Sequence, residues 1–260
     1  MILIYTPHIT TRVLYAMDIV FKTVLQIDYK LTDHKEEFIG YNKCKIAYTK
    51  VNEDFPVFIK SNDILFESYI NTKTIEVDNE YLDFPKFFKS NTQDFLGYDV
   101  FAMVFYFATR YEEYLKSDLD EHQRFQAEKS LAFQNNCLQI PFLNVAIQQF
   151  GVKLKQHFPF LKFNKPTFNF VSTIDIDNAF AYAHKGLKRN LGGLAKDVFN
   201  LRLSQVAQRI MSNLDEKKDP YNTFKLINSL SDETQTALQY FVLIGDYSTY
   251  DKNPHYNKVG

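Results

Sequence analysis

Residues 100–108 read Val-Phe-Ala-Met-Val-Phe-Tyr-Phe-Ala, directly after Asp99, with no charged side chain among them. A helix that is apolar on every side cannot lie on a surface and has to be enclosed between layers. The segment predicts a helix over 99–115 that turns charged at Thr109-Arg110-Tyr111-Glu112-Glu113-Tyr114, so the chain around it must supply a second layer. The 25 Phe and 17 Tyr, with no Trp, read as filling for that core.

The first ~165 residues read as one α/β region. An apolar run over 1–5 stops at Pro7, as a buried strand would. Thr10 or Thr11 can cap a helix that carries Val13, Leu14, Met17, Val20, Phe21 and Leu25 at helical spacing. Short β-like segments are expected at 43–48, 56–59 and 74–77, and a helix from Pro141 to about 157. Two prolines, Pro159 and Pro166, break the pattern. They place a boundary between an N-terminal α/β domain, 1–163, and a second region, 164–260.

In the second region, 167–176 is a near-continuous β-rich run, as a strand buried on both faces would be. A long amphipathic helix over 194–214, a turn at Asp219-Pro220-Tyr221-Asn222-Thr223-Phe224, a short helix and a strand over 240–244 follow. That order predicts a parallel βαβ unit.

Other features exclude function classes. The 30 Lys and Arg against 31 Asp and Glu leave a net charge of −1, without the basic footprint of phosphate-led nucleic-acid binding. The eight glycines form neither a dinucleotide fingerprint nor a P-loop, whose backbone amides must approach an anion closely. No apolar stretch reaches the ~18 residues of a membrane span, and the start has no basic segment before its apolar residues. Cys44 and Cys137 are expected to be reduced, and with these signs the cytoplasm is the expected location. Oligomeric state is not readable.

The sharpest chemical feature is Ser172-Thr173-Ile174-Asp175-Ile176-Asp177-Asn178. In an extended chain, residues two apart point to the same side, and ligands of parallel α/β folds gather at the carboxyl ends of strands. Two carboxylates in one volume are costly unless a cation binds or one is protonated. The pair therefore points to a metal or to acid/base work, with a simple cap or turn as the bland reading. Elsewhere, Arg110 with Glu113 and Asp120 with Arg124 read as local ion pairs, with His122 beside the second, and His184 lacks a partner histidine.

Thr173-Ile174-Asp175-Ile176-Asp177 resembles the first motif of the polysaccharide deacetylases, carbohydrate esterase family four. Residues 241–247 with Tyr250-Asp251-Lys252-Asn253 resemble the second barrel strand and loop of its bacterial branch, and 219–224 the stretch before it. Arg110-Tyr111-Glu112-Glu113-Tyr114 and Asp120-Glu121-His122-Gln123-Arg124-Phe125 are similar to pieces of the accessory domain found before such barrels. The resemblance implies an α/β accessory domain followed by the first βαβ portion of an incomplete (β/α) barrel. It implies Asp175 as general base, Asp177 as ligand of a divalent metal, Zn²⁺ in this family, and an N-acetylated envelope or capsular polysaccharide as substrate.

The family completes its metal site with an H-x-x-x-H pair, and His8, His34, His122, His157, His184 and His255 contain none. The roughly 95 residues after the boundary are too few for a closed barrel of about 200 or more. The remaining ligands are expected beyond Gly260, and the chain as it stands is expected to be inactive. The opening motif is also similar to that of haloacid-dehalogenase-type phosphatases, although Ala179 stands where those prefer Thr or Val, and to Asp-x-Asp glycosyltransferases. A non-catalytic carbohydrate-binding role for 1–163 is the remaining alternative.

Overall fold

The computed structural model describes residues 1–79, 83–90, 94–115, 119–164 and 167–242. The chain divides into two compact units, Met1–Pro166 and Thr167–Gly260, both mixed α/β. Residues 243–247, Tyr250-Asp251-Lys252-Asn253 and His255, which carry part of the sequence reading, lie outside the described residues.

Unit 1 is built on a parallel sheet of β1 (Ile2–Tyr5), β2 (Tyr29–Thr32), β3 (Lys45–Thr49) and β4 (Phe58–Lys60), in the order β2-β1-β3-β4. β1 and β3, both buried, hold the middle of the sheet; the apolar run over 1–5 predicts burial for β1, while 43–48 reads only as a short β-like segment. β2 (Tyr-Lys-Leu-Thr) is an edge strand and carries no apolar run, which is why pattern alone does not find it. A short helix α2 (Lys35–Gly40) is likewise unannounced. The expected strand at 74–77 shrinks to β5 (Val77–Asp78), paired antiparallel with β6 (Lys86–Phe87).

Helix α1 (Thr11–Met17) starts on Thr10, whose hydroxyl accepts the Val13 N–H at 3.1 Å. It does not run on to Leu25 as an α-helix but widens into a π-helix over Asp18–Val24, and Leu25 N–H reaches the Val20 carbonyl five residues back. The widened turn buries both Val20 and Phe21.

The apolar segment forms α3 (Val100–Ala108), and every side chain from Val100 to Tyr106 is buried. Phe101 meets Tyr48 of β3 at 5.1 Å, and Phe21 and Phe150 at 5.9 Å each, in tilted and edge-on contacts. Phe150 belongs to α5 (Phe142–His157), which follows the short α4 (Leu131–Gln134). α3 stops earlier than 115, because Arg110 turns left-handed (φ 53°) and the charged stretch closes as a 3₁₀ turn over Tyr111–Tyr114. Cys44 and Cys137 are buried free thiols.

In unit 2, β7 (Val171–Ile176) and β8 (Ala237–Val242) pair in parallel, with Val171 opposite Ala237 and Asp175 opposite Phe241. Three helices lie between them in the chain: α6 (Leu187–Phe199), α7 (Leu203–Leu214) and α8 (Phe224–Thr234). The expected single helix over 194–214 is thus two. Leu201 (φ 53°) is left-handed, its N–H donates to the Val198 carbonyl, and Arg202 N–H donates to Asp197, the double bond of a Schellman stop. The reversal brings Arg209 of α7 to Asp197 of α6, with Nε and Nη2 at 3.1 and 2.8 Å from one carboxylate oxygen. A Cβ on Gly193 would lie 2.6 Å from that guanidinium, so a side chain there would push the flexible end of Arg209 aside.

The run at 167–176 is not buried on both faces: Val171, Thr173 and Asp175 are exposed, and Phe168 is 93 % exposed. The reason is that the described sheet has two strands, with α8 packed on the face that carries Tyr240.

Two stability outcomes follow. Asp197→Ala leaves the Arg209 charge largely buried and unpaired, and is expected to destabilise unit 2 by about 3 kcal/mol in urea unfolding. The second concerns Asp99, which accepts Tyr48 Oη–H and Asn62 N–H at 2.8 Å each, and Phe101 and Ala102 N–H at 3.0 Å each. Burial pushes its carboxyl up to about 6, and the donors from Ala102, Tyr48 and Asn62 pull against that rise. The unfolded carboxyl titrates near about 3.9. Between these values the native chain holds a proton that the unfolded chain has released, so the contribution of Asp99 to stability falls as pH rises. Tyr48→Phe removes a donor that the ionised form relies on. Its cost is expected to be about 2 kcal/mol above the native Asp99 titration and smaller below it, measured as urea midpoints across pH.

Candidate functional site

Asp175 is the fifth residue of β7 and Asp177 follows the strand directly, so both stand at its carboxyl end. Asp175 projects from the face opposite the one α8 packs, alongside Val171 and Thr173, with Phe241 as its cross-strand neighbour. Both aspartates are exposed and neither makes an ion pair or side-chain hydrogen bond among the described residues. They line one cleft of about 440 Å³ with Pro220, Tyr221, Thr223 and Phe224. The opposite wall thus comes from the start of α8 and the turn before it. Tyr221, 56 % exposed, presents a ring to that cleft.

That turn is held by Asp219, which the sequence reading treats only as part of a turn. Its carboxylate is buried and accepts Ala181 N–H at 2.7 Å, Tyr182 N–H at 2.8 Å, Ala183 N–H at 2.9 Å and Tyr221 N–H at 3.0 Å. Burial pushes this carboxyl up, but the four backbone donors outweigh it and hold it below the usual carboxylate range. One side chain therefore ties the loop that follows Asp177 to the loop that carries Tyr221. The available signal was Asp before Pro, a residue type that bonds nearby backbone, but the partners lie 36–38 residues away and no local rule reaches them.

Tyr182 is fixed from its other side by Arg209, whose guanidinium carbon lies 4.7 Å from the ring centroid. His184 does not join the aspartates. Its Nε2 lies 2.7 Å from Glu216, its ring packs on Phe180 at 4.8 Å, and its backbone is left-handed (φ 58°). The pieces in unit 1 are locally engaged too. Arg110 Nε donates to Glu113, and Asp120 accepts His122 N–H and both the backbone and Nε of Arg124, closing a tight turn.

A family of unknown function (DUF7033) matches residues 2–159. That is more than half of the chain. The chain belongs to this family. The DUF7033 match falls within unit 1, so membership describes the parallel-sheet unit and says nothing of the two aspartates in unit 2. No curated protein and no solved structure matches the chain. Among the described residues no helix is long and apolar enough to cross a membrane, and no group of three or more His, Cys, Asp and Glu is placed to hold a metal ion.

The chemistry of the donor set fits part of a divalent-cation site. Two carboxylates without a competing partner among the described residues open on one cleft, and a catalytic zinc takes about three protein ligands, so the pair supplies fewer than the full set.

Asp219→Asn is expected to loosen both loops. Amides of Ala181, Tyr182 and Ala183 should exchange faster by about tenfold or more, read by hydrogen exchange. Because the native carboxyl titrates below its unfolded value, the stability Asp219 contributes is present above the unfolded value and lost as pH falls through the native one. The gap between wild type and variant should therefore close in acid.

Proposed function

We propose that unit 2 is the opening βαβ portion of a (β/α) barrel of the polysaccharide-deacetylase type, and that its Asp175–Asp177 cleft is the first part of a site for removing N-acetyl groups from an envelope or capsular glycan. The single observation that carries this is the division of the β7–β8 faces. Helix α8 packs the side of Tyr240, while the uncovered side carries Asp175 at the strand's carboxyl end. A barrel has that arrangement, with helices outside and functional groups at the carboxyl rim.

In this reading Asp175 is the general base and Asp177 a metal ligand. A zinc-type divalent ion, when bound, polarises the acetamide carbonyl and acidifies a water. Asp175 would accept the proton of the attacking water and return it to the sugar nitrogen as the C–N bond breaks and acetate leaves, and among the described residues no ion pair ties up its oxygens. The exposed ring of Tyr221 offers a stacking face for a sugar at the rim. Asp219 keeps both walls in place by its four backbone bonds. The reading further requires two histidine ligands of the H-x-x-x-H kind, a spacing that the 260 residues do not contain.

The test is made on the product of the whole open reading frame, with Co²⁺ as a spectroscopic probe and acetate release from N-acetylglucosamine oligomers as the activity. Asp175→Asn is expected to lower turnover by at least about a thousandfold while retaining Co²⁺. Asp177→Ala is expected to lose the metal. Equal metal loss in both variants, or a reading frame without the histidine pair, overturns the assignment. Trapping of an aspartyl adduct by beryllium fluoride would point to a phosphatase instead.

A further inference from the structure

Unit 1 holds a cavity of about 430 Å³ where β4 ends, between Lys60, Ser61 and Asn62 on one side and Thr74, Glu76 and Lys89 on the other. Ligands of parallel α/β sheets collect at this end of the strands, and the volume falls within the range of small-molecule sites. The wall carries polar side chains without a partner among the described residues. Ser61 is only 4 % exposed, and its hydroxyl makes no hydrogen bond among the described residues. That hydroxyl is not sealed off from the cavity, so water or a bound polar molecule can pair with it there. Asn62 spends its Oδ1 on Ile64 N–H at 3.1 Å and keeps its amide donors. Among the described residues Lys60 has no carboxylate partner, and neither Thr74 nor Glu76 has a side-chain partner. Lys89 shares its charge with Asp78 at 3.3 Å.

The balance of these groups narrows the ligand. Of the two carboxylates on the wall, Asp99 is buried and already accepts four donors, which leaves Glu76 exposed against a larger set of hydroxyl, amide and ammonium donors, so the ligand brings acceptors and one negative charge. A phosphate fits poorly. The N–H groups of Phe101 and Ala102, which would greet it at the start of α3, already donate to Asp99, and the cavity has no arginine. A nucleobase fits poorly as well, because among the described residues the wall's aromatic ring is that of Phe88, which is itself buried. A ring of hydroxyls with one carboxylate meets every group: hydroxyls for Ser61, Asn62, Thr74 and Glu76, and the carboxylate for Lys60.

We infer that this cavity binds a small acidic sugar, a uronic-acid-type ring, with Lys60 pairing its carboxylate and Ser61, Asn62 and Glu76 reading its hydroxyls. All of these residues lie in unit 1, so the inference stands or falls apart from the deacetylase reading. The experiment titrates the isotope-labelled full chain with D-glucuronate, D-glucose and acetate, following amide shifts by NMR. Glucuronate is expected to give saturable shifts at Ser61, Asn62 and Lys89, with glucose and acetate weaker by about tenfold or more. Lys60 is exposed, so Lys60→Met should leave the melting midpoint unchanged while weakening glucuronate about tenfold, and Glu76→Gln should weaken glucuronate and glucose alike. Four results overturn the inference: no saturable shift with glucuronate up to about 10 mM, glucose matching glucuronate, acetate matching glucuronate, or undiminished binding by a folded Lys60→Met.

Discussion

Helix α3 presents no polar side to water, so unit 1 has to be arranged around it. The parallel sheet reaches it through Tyr48, the π-widened helix through Phe21, and α5 through Phe150, and all three rings converge on Phe101. The same helix begins on a buried carboxylate. Asp99 caps the first N–H groups of α3 and also takes Tyr48 Oη–H and Asn62 N–H, so one charge joins the helix, the central strand β3 and the segment after β4. A buried charge of this kind is tolerable only because four donors surround it. It also holds in place the floor of the polar cavity beside β4.

Unit 2 solves a different problem with similar means. Its described sheet has two strands, too few to enclose an apolar core. Order there comes from directed polar contacts instead. Asp219 collects four backbone N–H groups from two loops, and Asp197 holds Arg209 across the α6–α7 reversal. The Asp219 bonds frame the Asp175–Asp177 cleft, while Val171 and Phe241 on the strands and Phe168 just before β7 stay exposed. Exposed apolar strands beside uncovered carboxylates are what the first portion of a larger sheet would look like, which is the physical content of the barrel proposal.

Much of this was legible where local chemistry decides. Thr10 and Asp99 cap the helices they precede, and the apolar run of β1 is buried in the middle of the sheet. Asp175 and Asp177 sit at the end of a strand that pairs in parallel with β8. Reading failed where a residue's partner is remote or its conformation is unusual. β2 carries no apolar pattern because it is a sheet edge. The reversal at Leu201 puts a leucine where glycine is the ordinary signal, so the amphipathic pattern of 194–214 runs straight through it. The burial of 167–176 was overestimated for another reason: an apolar run shows that a strand is able to be covered, not that a layer is there to cover it.

What the sequence determined alone is the set of short-range commitments: a helix that must be enclosed, a first strand that must be buried, and two carboxylates two residues apart on extended chain. These follow from side-chain periodicity and capping, which act over a few residues. Tertiary structure decided which face those carboxylates occupy, that Asp219 would organise loops 36–38 residues before it, and that Ser61, Thr74 and Lys89 would meet around one cavity. Each of those is a meeting of distant segments, and no local preference specifies a contact whose other half is supplied by a different part of the chain.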